Sequence, residues 1–165
     1  MRKIELLCPA SSLEVLKIAV IFGADAVYIG GEAFGLRAKA KNFSLEEMAE
    51  GIKFAHAHGK KVYVTANITA HNRDLDGVAE YFKELSCLDV AEDGTPVRPD
   101  ALIISDPGVF DLAKEHAPEI DVHISTQANT VSFHTSKFWY KNGAKRIILA
   151  RELNKEEIKD IMENK

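Results

Sequence analysis

Asp121-Val122-His123-Ile124-Ser125-Thr126-Gln127-Ala128-Asn129 is the stretch that decides how this chain folds. Side chains alternate between the two faces of a strand, so Val122, Ile124 and Thr126 share one face while His123, Ser125 and Gln127 share the other. An earlier apolar run repeats the arrangement, with Val62, Val64 and Ala66 opposite Tyr63, Thr65 and Asn67. Apolar faces suit a covering layer of helices, and polar faces turned towards a common axis suit the inside of a barrel. Leaving such groups buried and unpaired costs roughly 2–7 kcal/mol each, so the interior must pair internally, hold water or bind a ligand.

Working outward, short apolar runs rich in Val, Ile and Leu alternate with segments of helical period, the pattern of βα units around a parallel sheet. Strands are expected at 4–7, 26–30, 61–66, 101–105, 121–125 and 146–150. Helices are expected at 12–22, 45–58, 75–90, 107–116, 131–142 and 155–163. Ser44 with Glu47, and Asn154 with Glu157, have the spacing of capping boxes. Gly23, Gly59 and Gly143 stand where helices end in a left-handed residue. The run Glu92-Asp93-Gly94-Thr95-Pro96-Val97-Arg98-Pro99 has turn composition and reads as a loop inserted at 92–99 into a single domain spanning residues 1–165. The fold class is therefore α/β, with parallel (βα) repeats forming a partial TIM-type barrel of about six strands. A closed barrel has eight strands and about 250 residues, so the chain reads as stopping before closure. An open doubly wound sheet is the alternative; the long 30–43 connection and the polar strand faces favour the barrel.

Bulk properties narrow the class. The chain has 165 residues, 46% hydrophobic and 28% charged, enough for one globular core. No apolar run approaches the roughly 20 residues of a membrane span, and the apolar stretch after Met1-Arg2-Lys3 is too short for a signal peptide, so a cytoplasmic location and no membrane partner are expected. A net charge of -4 argues against a general nucleic-acid coat while leaving room for a local basic patch. Cys8 and Cys87 form no CxxC pattern, and neither a disulfide framework nor a metal site is read from them.

Barrel enzymes place their chemistry at the C-terminal ends of the strands. The candidates there are His123, Ser125 and Gln127 as catalytic groups, with Glu5, Tyr28, Arg37, Asn67, His71, Asn129 and Arg151 as substrate-binding groups. The competing structural reading makes His123 and Tyr63 core residues and lets Gln127 and Asn129 cap the following helix. Arg37, with Lys39 and Lys41, sits in a loop able to fold over the mouth and meet an anion. His71 is placed for acid, base or ligand duty, and Asp74 for capping a helix. His56 and His58, two apart near a helix end, do not share a face and read as structural. Ser105-Asp106-Pro107-Gly108 reads as a helix start, with backbone N–H groups left over for an anion. Hydrolytic signatures such as GxSxG or HExxH are missing. A triad of Ser125, His123 and Asp106 is poorly aimed, because base and nucleophile lie two residues apart on one strand.

Taken in order, Glu5-Leu6-Leu7-Cys8-Pro9-Ala10, Gly23-Ala24-Asp25-Ala26-Val27-Tyr28, Gly35-Leu36-Arg37, Asn67 through Asn72, Ser105-Asp106-Pro107-Gly108, His123-Ile124-Ser125-Thr126-Gln127-Ala128-Asn129 and Ala150-Arg151-Glu152-Leu153 resemble the start of peptidase family U32. Cys8 and Ser11 depart from the family's usual small residue and Gly. The resemblance implies oxygen-independent hydroxylation, above all of a wobble uridine in transfer RNA with prephenate as a required metabolite. An iron-sulfur cluster held by cysteines C-terminal to this region goes with that activity, and no cofactor is evident within these residues. The family's older label implies a peptidase acting on collagen-like or other peptides. A third expectation, drawn from the open sheet edges, is a non-catalytic binding or assembly module that forms an oligomer.

Overall fold

The computed structural model describes residues 4–31 and 42–164. Six strands form one parallel sheet: β1 (Leu7–Pro9), β2 (Ala26–Gly30), β3 (Lys61–Ala66), β6 (Ala101–Ile104), β7 (Asp121–Ile124) and β8 (Arg146–Ile147), hydrogen-bonded in that order. Helices α1 (Leu13–Ile21), α2 (Leu45–Ala57), α3 (Val78–Ser86), α4 (Pro107–His116), α5 (Phe133–Lys141) and α6 (Lys155–Glu163) connect them. The sheet curls into the half-barrel expected from the sequence.

Its two faces separate as the alternation requires. Val27, Ile29, Val62, Val64, Leu102, Ile104, Val122 and Ile124 pack with helix residues such as Leu16, Ile52, Phe82 and Val109 in one large core. Full burial of each large apolar side chain contributes about 1.5–3 kcal/mol, which makes this the main source of stability. A second, smaller cluster of Ala26, Tyr63, Ala101 and Ile103, with Leu7 and Ile148 against it, lines the concave face.

Helix ends follow the local chemistry. Ser44 with Glu47 and Asn154 with Glu157 both close capping boxes. Gly23, Gly59 and Gly143 take φ of 105°, 66° and 105°, so side-chain-free backbone ends α1, α2 and α5. Asp106 caps α4 by accepting from the N–H groups of Gly108 and Val109. Those donors are therefore occupied, which corrects the expectation that they stand free for an anion.

Four segments depart most from the sequence reading. The ladder of β1 starts at Leu7, not Ile4, because the Asp25 carboxylate accepts the Leu6 N–H. The sixth strand ends at Ile147, since the Ala150 N–H turns to the Thr130 carbonyl. The segment 75–90 is not one helix: a short 3-10 turn (Asn72–Leu75) precedes Gly77, at φ 84°, and α3 starts only at Val78. The segment 92–99 belongs to a hairpin whose first strand, β4 (Asp89–Val90), occupies the end of the expected helix and pairs antiparallel with β5 (Pro96–Val97).

Candidate functional site

The concave face holds two sets of polar side chains at opposite ends of the strands. At the N-terminal end, Glu5 lies just before β1 and Arg146 opens β8, the two edge strands. The Arg146 guanidinium grips the Glu5 carboxylate through both terminal nitrogens, with the Nη2–Oε2 contact at 3.2 Å. The Tyr63 hydroxyl donates to the same carboxylate at 3.0 Å, and the Arg146 guanidinium lies 5.5 Å from the Tyr63 ring centroid. A two-pronged pair of this kind fixes geometry as well as charge.

Protonation follows from these contacts. The hydrogen bonds from Arg146 hold the Glu5 carboxyl below its usual range, helped by Tyr63. Burial pushes the Tyr63 hydroxyl up to about 12, with the Glu5 hydrogen bond adding to it and the Arg146 charge opposing it. His123 packs edge-on against Tyr63, ring centroids 4.7 Å apart. Burial, assisted by the Arg146 charge, pulls its imidazole down to about 4. It is therefore neutral at pH 7. Its Nδ1 is buried without a hydrogen-bond partner among the described residues, a state that costs on the order of 1–3 kcal/mol.

Glu5 was expected at the C-terminal mouth and is found at the other end, because the strand it precedes starts later than its apolar run suggests. His123 lies within the barrel, below the mouth.

The mouth is built from the residues that follow the strands. Tyr28, near the end of β2, is 36% exposed. Thr65 donates its hydroxyl to the Ile29 carbonyl, and Ser105 Oγ bonds the Asn67 and Ile68 carbonyls, which ties the ends of β2, β3 and β6 together. Beyond β7 the chain leaves strand geometry: Ser125 caps a 3-10 turn (Thr126–Ala128) that ends at Asn129 with φ 49°. Asn tolerates this left-handed conformation better than most residues. Ser125 is buried, while Gln127 and Asn129 are exposed at the rim. Neither caps α5; Ser132 does. Ser125 Oγ meets Gln127 Oε1 at 3.4 Å, and no hydrogen bond joins it to His123 among the described residues. Arg151 is exposed after β8 and has no ion-pair partner among the described residues.

The other candidates divide. Asn67 is half-buried beside this rim. His71 is exposed, and Asp74 accepts the His71 N–H at 2.9 Å, so Asp74 closes the 3-10 turn and does not cap α3. Arg37 lies outside the described residues. His56 and His58 turn to different partners, the Asp100 carboxylate and the Phe54 carbonyl. Sequence reasoning missed the role of Arg146, although a charged residue opening an apolar strand was a visible signal.

The hydrogen-bonded rim, the single parallel half-barrel and the order of motifs agree with one assignment. The chain belongs to peptidase family U32. The family profile matches residues 11–165. Among curated relatives, the tRNA hydroxylation protein P1 of Bacillus subtilis is 44% identical over 162 residues, covering 98% of this chain and 36% of that protein. The tRNA hydroxylation protein P of Escherichia coli is 46% identical over 161 residues, covering 98% and 34%. The chain thus spans about a third of the length of the curated relatives it matches. Among solved structures, the U32 peptidase Mk0906 superposes with a TM-score of 0.69 at 16% identity, over 100% of this chain and 68% of that one, a likeness of fold.

Proposed function

We propose that this U32 chain forms the N-terminal part of a protein that hydroxylates transfer RNA, and that its barrel mouth holds the substrate nucleoside or a small metabolite. The observation that carries this reading is the 44% and 46% identity, over nearly the whole chain, to proteins named for tRNA hydroxylation. The chemistry of the rim supports it. Gln127 and Asn129 offer paired donors and acceptors suited to a base edge, Tyr28 offers a partly exposed ring for stacking, and Arg151 offers a cation for phosphate or carboxylate. Asn67 and His71 belong to connections that would surround a bound group; Arg37, outside the described residues, is kept as a candidate from the sequence alone. Ser125 positions Gln127, and His123 supports the rim from below. Prephenate, a dicarboxylate, is the metabolite we assign to the cationic side of the mouth.

An iron-sulfur cluster does not fit the residues of this chain. Cys8 belongs to edge strand β1, whereas Cys87 is exposed beyond α3 with its thiol near the Asp89 carbonyl. Two separated thiols do not supply a four-cysteine set, so any such cluster rests on cysteines elsewhere in the protein.

The peptidase reading is favoured by the family's label but finds little support in the geometry. Asp106 is committed to its helix cap, and Ser125 bonds Gln127. The two readings separate in one experiment: mass spectrometry of tRNA nucleosides from cells with the gene deleted. The expected result is loss of hydroxyuridine, restored by the intact gene. Unchanged hydroxyuridine, with gelatin cleavage by the purified protein that Ser125→Ala abolishes, favours the peptidase.

A further inference from the structure

Residues 122–151 carry Lys137, Lys141, Lys145, Arg146 and Arg151 and no Asp or Glu, within a chain of net charge -4. Much of that charge falls on α5 and the turn after it. His134, Lys137, Phe138 and Lys141 have the i, i+3, i+4, i+7 spacing that gathers side chains on one helix face, and all four are exposed. Phe138 is 54% exposed. Lys145, also exposed, follows just beyond the helix end. Lysines on other helices behave differently. Lys17, Lys53 and Lys159 sit against the carboxylates of Glu50, Asp89 and Glu163, whereas Lys137, Lys141 and Lys145 have no ion-pair partner among the described residues. Lys137 instead lies over the Phe133 ring, 5.3 Å from its centroid. From α4, the Lys114 ammonium donates to the Asn142 carbonyl at 2.6 Å and so stands at the C-terminal end of α5. A shallow groove between the two helices has Phe110, Phe138 and Trp139 in its wall, with Asp111 as its acidic group. On the other flank, α6 packs on α5 and carries Glu156, Glu157 and Asp160. A polyanion is therefore drawn to α5 and Lys114 and repelled from α6.

We propose that this face of α5 binds the RNA strand flanking the nucleoside held at the barrel mouth, with its lysines against the phosphates and Phe138 stacked on an unpaired base. The proposal rests on the tRNA-hydroxylation reading and adds a surface for the strand on either side of the reacting nucleoside. The path from the mouth is continuous. The turn that carries Gln127 and Asn129 at the rim leads through Ser132, the cap of α5, straight into the helix. From Phe133 to Lys141 the helix runs about 12 Å down the outer wall, with Lys137 and Lys141 about one turn apart. Unpaired cations gain from displacing the counterions of a phosphate backbone. An exposed ring gains from stacking on a base of any identity. A folded acidic protein would complement the charge alone; lysines alternating with an exposed ring on one face suit RNA.

Fluorescence anisotropy of a tRNA transcript with uridine at the wobble position, titrated with the protein expressed from its whole gene, tests this surface. Combining Lys137→Gln, Lys141→Gln and Lys145→Gln is expected to weaken binding at least roughly ten-fold and to flatten the slope of log affinity against log salt by about two to three. Phe138→Ala is expected to weaken binding several-fold and leave that slope unchanged. A control combining Lys83→Gln, Lys155→Gln and Lys159→Gln removes the same charge from exposed positions elsewhere and is expected to bind as wild type does. Wild-type affinity in the α5 variant, or an equal loss in the control, overturns the proposal and leaves tRNA hydroxylation standing. A wild-type protein that binds phosphatidylserine vesicles and not tRNA also overturns it. The hydroxyuridine content of the deletion strain decides the hydroxylation reading separately.

Discussion

The two ends of the barrel interior use the same kinds of residue in opposite ways. At the N-terminal end, Glu5, Arg146 and Tyr63 are hydrogen-bonded to one another. At the C-terminal end, Gln127, Asn129 and Arg151 are exposed, and the bonds there mostly join backbone to backbone-fixing hydroxyls. A polar side chain on a barrel axis is therefore not by itself a sign of catalysis. Mutual pairing marks the lower set as framework; exposed hydrogen-bonding groups mark the upper set as the candidate site.

Substitutions at the two ends sharpen this contrast. Arg146→Ala leaves the Glu5 carboxylate and Tyr63 without their cation and lowers stability by about 2 kcal/mol, less than a fully buried pair would lose because Arg146 is partly exposed. Urea unfolding of the whole protein reads it directly. Glu5→Gln keeps the shape but removes the charge and costs about 1 kcal/mol. Gln127→Ala at the rim shifts stability by no more than about 0.5 kcal/mol. If it destabilises as much as Arg146→Ala does, the division between framework and site fails.

Acid exposes the same difference. The His123 imidazole is held down near 4 in the folded chain, against 6.5 for the ordinary group. The unfolded chain therefore binds that proton first, and stability that is full above about 6.5 is lost as pH falls towards about 4. Glu5, also depressed, contributes stability that is present above 4.5 and disappears at lower pH as its folded-state carboxyl takes up a proton. Urea midpoints measured between pH 7 and pH 4 should fall, and His123→Phe should flatten the upper part of that fall. The smallest effect expected is for Tyr28→Phe, within about 0.5 kcal/mol of wild type, since its ring is partly exposed.

Much of this was legible in the chain. Alternation in Lys61–Ala66 and Asp121–Ile124 revealed which face meets the helices, because both strands are central and buried on two sides. Capping pairs and left-handed glycines act locally, so they marked helix ends well. What escaped depended on contacts distant in sequence. The start of β1 is set by Asp25, and the position of Glu5 by Arg146, 141 residues away. The period-two rule also failed past Ile124, where a hydroxyl cap bends the chain into a 3-10 turn and carries Gln127 to the rim. The presence of a polar mouth was visible; which polar residues were already committed to one another was not.

The most direct test of the account replaces the gene with one encoding Gln127→Ala and measures hydroxyuridine in tRNA by mass spectrometry, with protein abundance measured alongside. The account predicts at least a roughly ten-fold loss of the modification, about 1.4 kcal/mol of lost binding or positioning, at unchanged abundance. Wild-type levels of hydroxyuridine in that strain would contradict it.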